Sequence, residues 1–170
     1  MTSIESEDPR FGDWPIPQSL LIEIGRIASL WTVLESLINF ALGRLSGVDP
    51  LEPRQVILFE HLNMPQKLDI LGALASADEN SKIDPQELSE ALRMVRRAQS
   101  ERNRYLHNSV ILDEENGQYF IMQMSARGRV KITTDPVSVE SLRATVCLIG
   151  EATQALSKAI YGDEVLPPLK

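Results

Sequence analysis

From Leu20 to Leu45 the chain places an apolar residue at alternating spacings of four and three: Leu20, Ile24, Ile27, Trp31, Leu34, Ile38, Ala41 and Leu45. At about 100° per residue these side chains line one face of a helix for some four heptads, and that face needs other elements to cover it. Pro15 and Pro17 lead in and Gly47 ends the run, so a helix over roughly 18–46 is predicted. Two shorter helices follow over 53–62 and 65–77, with Asn63 as an N-cap and Pro65 in the first turn of the second. The polar stretch 78–83 reads as a loop. Asp84, Pro85 and Glu87 then supply a cap, a proline at the first helical position and a carboxylate at the third, opening a helix that should run to about Asn108.

Beyond it the period changes. VILD, EENG, QYFIMQMS, ARG and RVKITT read as short strands joined by turns, a β-hairpin or three-stranded meander over about 110–134. The last helix, 137–161, carries Leu142, Val146, Ile149, Thr153, Leu156 and Ile160 on one face and stops at Gly162. The fold class expected is all-α: an antiparallel bundle of about five helices with a small β insertion before the last. Its 170 residues suit a single domain, with a loose arm over 1–14 and a frayed tail over 163–170.

Charge and composition narrow the function. A net charge of −7 argues against a surface that binds nucleic acid all over, though not against a local basic site. One cysteine, Cys147, excludes an intrachain disulfide framework and a cysteine-rich zinc site. The first residues lack an apolar segment of the secretory kind and no run is long enough to span a membrane, so the expected setting is the cytoplasm with no membrane partner. No phosphate-binding glycine loop, dinucleotide fingerprint, HExxH, clustered metal-ligand set or GxSxG elbow is present, and no metal or cofactor is implied.

What remains is the string ERNRYLHNSV. On the helix that begins at Pro85, Leu88, Leu92, Val95, Gln99, Arg102 and Leu106 fall within about 40° of one line. That stripe therefore contains Gln99 and Arg102 one turn apart, and a guanidinium facing inward needs a partner. Glu35 flanks the stripe of the first helix in line with Leu21, Ala28 and Leu42, so a Glu35–Arg102 ion pair is expected. Beside the stripe run Arg96, Ser100, Asn103 and His107. Arg102 and His107 lie ~140° apart on the wheel, a gap the long arginine side chain can bridge. Between positions 93 and 107 stand five arginines against one acid, Glu101, a local positive patch suited to phosphate.

Arg102, Asn103 and His107, near the end of a helix and preceded by a long helix with a polar flank position, resemble the motif of the HEPN superfamily (higher eukaryotes and prokaryotes nucleotide-binding). The resemblance covers about residues 18–160; the β insertion departs from the minimal bundle. It implies a metal-independent endoribonuclease or RNA-binding protein acting as a homodimer on RNA, with toxin or defence roles common among members and an antitoxin or another protein as a candidate partner. Arg102 would hold the scissile phosphate, His107 would take or give the proton, and Asn103 would orient either. Glu35, Gln99, Arg96 and Ser100 would support them, and the product would be a 2′,3′-cyclic phosphate.

Structural readings stand beside these. His107 also fits a helix C-terminus, where the dipole favours it, and Arg102 a clasp to Glu35. On that alternative the chain is a non-catalytic dimerising module that binds a protein. The arginines at 93, 97 and 104 read as a solvated helix face, His61 as a surface or capping residue, and Trp31 as packing.

Overall fold

The long stripe forms one uninterrupted helix because nothing between its two end signals breaks it. In the computed structural model, which describes residues 16–49, 51–77, 83–126 and 129–162, α1 runs Gln18–Ser46. Gly47 closes it at φ 70°, with its N–H on the Arg44 carbonyl, a conformation that spares an L side chain. Next come α2 (Pro53–Glu60), α3 (Met64–Ala77), α4 (Pro85–Leu106), β1 (Ser109–Asp113), β2 (Gln118–Ser125), β3 (Lys131–Pro136) and α5 (Val139–Tyr161). The described residues are thus mostly helical, with five helices and a small antiparallel sheet before the last. The expected arm over 1–14, the tail over 163–170 and most of the loop over 78–83 lie outside the described residues.

α1 packs on α5 and α3, and α4 packs on α5. Ile27, Leu34, Ile38, Ala41 and Leu42 of α1 are fully buried against Leu68, Leu71, Val95, Ala98, Leu142, Ile149 and Leu156. The start signals act as read. Asp84 accepts from the N–H groups of Gln86 and Glu87, and Asn63 and Gln66 cap α3 reciprocally at 3.0 and 2.9 Å. Ser138 and Ser141 do the same for α5. The sheet has order β1-β2-β3, with Val110, Ile121 and Asp135 opposite one another and Ile121 fully buried. β3 reaches Pro136, two residues past the expected end, where proline suits an edge strand.

Among the described residues two charged side chains enter the core. Lys67 of α3 is 1% exposed and donates to Glu35 at 2.9 Å, so the expected Glu35–Arg102 pair is not formed. The reason is positional. Lys67 sits on the apolar line Met64, Leu68, Leu71 that faces α1, and its ammonium needs the carboxylate more than an arginine with other acceptors does. Glu35 is 39% exposed, since Leu21 and Ala28 on its flank of α1 face solvent. Glu23 of α1 is buried too, and accepts from Arg143 of α5 and Arg26, both at 3.0 Å. Those bonds, Arg143 foremost, hold its carboxyl below the ordinary value of 4.5 against the opposing effect of burial.

The unequal burial of the first pair predicts unequal mutants. Glu35→Ala strands an ammonium in the core and should cost about 3 kcal/mol in urea unfolding, whereas Lys67→Met leaves a carboxylate that water can reach and should cost about 1 kcal/mol or less. Because the folded pKa of Glu23 is depressed, its contribution is present above the ordinary carboxylate range and is lost as pH falls through the folded value. Melting temperature followed below about pH 5 should therefore fall less steeply in Glu23→Gln than in the parent.

Candidate functional site

α4 stops one residue before His107. The histidine is the C-cap, at φ −115° and ψ 5°, with its N–H on the Asn103 carbonyl at 3.2 Å. Asn108 ends the helix: its Nδ2 donates to the carbonyl of Arg104 at 2.9 Å and, beside the His107 N–H, to that of Asn103 at 3.3 Å, serving oxygens at the helix end. β1 begins at the next residue. Leaving helical geometry lets the imidazole turn back along the helix. Arg102 and His107, which a regular wheel holds apart, meet: Nη1 of Arg102 lies 2.6 Å from Nε2 of His107. The same Nη1 donates to Asn103 Oδ1 at 3.0 Å. A guanidinium only donates, so the contact requires the lone pair on Nε2 and the ring proton on Nδ1. The imidazole itself is exposed, and the sheet does not cover it.

The three motif residues are therefore one hydrogen-bonded group, with the Asn103 side chain bonded to the guanidinium of Arg102 rather than to the imidazole. Two of the supporting set are engaged elsewhere. Arg96 pairs with Asp69 of α3 at 2.6 Å, Ser100 is exposed, Gln99 is half-buried, and Glu35 is held by Lys67. The buried line of α4 shifts towards its end from Val95 to Ala98 and Tyr105, so Gln99, Arg102 and Leu106 sit half-buried at its margin instead of in the core.

The expected positive patch is smaller than a count of arginines implies. Arg93 is paired to Glu90, Arg96 to Asp69, and Arg104 to Asp135 of β3 at 3.4 Å and Glu101 at 3.7 Å. Asp135 also accepts from Gln123 of β2, so the sheet is tied to α4 through Arg104. Arg102 has no carboxylate within ion-pair distance among the described residues. Its guanidinium instead faces the ring of Trp31 on α1, 5.5 Å from the centroid. Two contributors escaped the sequence reading. Asn108 had a signal, as an asparagine just past a helix end. Trp31 had none that separated it from packing. His61 is the C-cap of α2 and Cys147 is exposed. Among the described residues no three His, Cys, Asp or Glu side chains are grouped to hold a metal ion, and no helix is long and apolar enough to cross a membrane.

No family model matches the chain, nor does any curated protein or solved structure. The site has to be argued from its own geometry.

Removing the Asn108 amide exposes how the site is anchored. Asn108→Ala should cost about 1 kcal/mol and speed amide exchange at the last turn of α4 while leaving α1 and α5 protected, as hydrogen-exchange NMR would read.

Proposed function

We propose that the chain is a HEPN-like, metal-independent endoribonuclease that works as a homodimer of antiparallel helical bundles, with Arg102, Asn103 and His107 as its site. One observation carries the reading: the half-buried Arg102 has no carboxylate partner among the described residues and holds an exposed imidazole at hydrogen-bond distance. A cation without a counter-ion beside a proton-transfer group suits a phosphodiester. The phosphate competes for Nη1, and when it wins, the lone pair of His107 Nε2 is released. That nitrogen removes the 2′-hydroxyl proton, the 2′-oxygen attacks phosphorus, and the bond to the 5′-oxygen breaks. The leaving oxygen takes a proton from the protonated His107 of a second copy, since one chain brings only one histidine to its motif. The products are a 2′,3′-cyclic phosphate and a 5′-hydroxyl. A toxin or defence role, with an antitoxin as protein partner, belongs to this reading through the resemblance, and a cytoplasmic setting goes with it.

A second reading has its own observation. Arg102, Asn103 and His107 satisfy one another, as a closed helix-end clasp would, in a module that dimerises and binds a protein. The two part in one assay. A labelled mixed-sequence RNA in EDTA should be cut with 2′,3′-cyclic phosphate ends, and His107→Ala or Arg102→Ala should lower the rate at least a hundredfold. Intact RNA, together with a large fall in melting temperature for Arg102→Ala, would favour the clasp.

A further inference from the structure

The motif leaves Arg102 only partly accounted for. Its Nη1 serves both Asn103 and His107, while Nε is buried with no hydrogen-bond acceptor among the described residues. Orphaned buried donors are rare, and a guanidinium without a counter-ion needs something to keep it from swinging into water. What lies against it is Trp31, 6% exposed and fixed in the α1 face. The negative face of an indole attracts a cation without neutralising it, and also gives an N–H a weak acceptor. A carboxylate in the same place would satisfy the donors, but it would also have to be displaced before a phosphate could bind. Glu35, one turn further along α1, is kept on Lys67.

We propose that Trp31 is a positioning residue: its ring holds the Arg102 guanidinium beside His107 in place of a carboxylate, so that the charge stays available to an RNA phosphodiester. This rests on the reading of Arg102 as the phosphate-binding group. The platform spans two elements, α1 supplying the ring and α4 the cation, so the place of the arginine depends on how those helices pack. Trp31 touches the cation and not the reacting atoms.

The test uses the full chain in a Trp14→Phe background and a 2′-O-methyl RNA, which binds but lacks the hydroxyl needed for cleavage. Affinity is read by fluorescence anisotropy, melting temperature is measured for each protein, and the Nε–Hε signal of Arg102 is followed by NMR. Trp31→Leu should weaken RNA on the order of three- to thirtyfold and raise KM more than it lowers kcat on cleavable RNA. It should also remove the ring-current shift of the arginine signal. Trp31→Phe should recover much of the affinity. Because Trp31 also packs the core, fluorotryptophans of increasing fluorine content replace it as a shape-conserving series, and affinity should fall in steps as the ring face loses negative charge. Equal affinity across that series, or an unshifted arginine signal in Trp31→Leu, would overturn the proposal. Should the parent protein bind no RNA, the ribonuclease reading fails by itself, and inorganic phosphate takes over as probe. Arg102 signals that respond to phosphate with tryptophan in place and not with leucine would uphold the platform; identical responses would end it.

Discussion

Burial of one face of α1 is the constraint on which the other elements depend. A helix of 29 residues with a continuous apolar face cannot remain alone in water, and α3 and α5 are placed by what that face requires. α4 is held mainly through α5, and the sheet in turn is held to α4 by Ile121 in the core and by Arg104 on Asp135. The arginine–histidine group is at the end of this chain of dependence. It lies where α4 runs out of helix and the sheet has not yet begun.

Carboxylates are more numerous than cations in this chain, and their placement matters more than their number. Glu90, Asp69 and Asp135 each take an arginine of α4, Glu35 takes Lys67, and Glu23 takes Arg143 and Arg26. Most of these pairs are at the surface, where they contribute little to stability. Their effect is on where positive charge is left over. With an excess of acid, a half-buried arginine lacking one among the described residues is an exception, and the ring of Trp31 lies beside it.

The helices were legible through their apolar periodicity and through start and stop residues with a local mechanism: Asp84 and Pro85, Asn63, Gly47 and Gly162. The strands were legible through a change of period, although β3 runs on through Asp135 and Pro136, past the expected end at about 134. The meeting of Arg102 with His107 was half legible. Spacing placed the two near one pocket, but contact needed His107 to leave the helix, which the cap at Asn108 decides. The Glu35–Arg102 pairing failed for an instructive reason: the wheel that marked Arg102 as out of place on α4 also marks Lys67 on α3 and Glu23 on α1. Three anomalous charges cannot be matched from one sequence, since partner choice depends on which helices touch. Trp31 was invisible as anything but packing, because a ring serving a cation and a ring filling a core occupy the same kind of position.

Only Asn108 separates His107 from β1, and β1 is paired to β2 residue by residue, with Val110 opposite Ile121. A strand alternates its faces, so a slip of one residue would exchange the buried and open sides of the whole ladder. Ile121, sealed in the core with a wholly hydrocarbon side chain, makes that exchange expensive. A methyl-bearing residue fourteen positions downstream thus acts as the index mark for the strand that starts two residues after the imidazole.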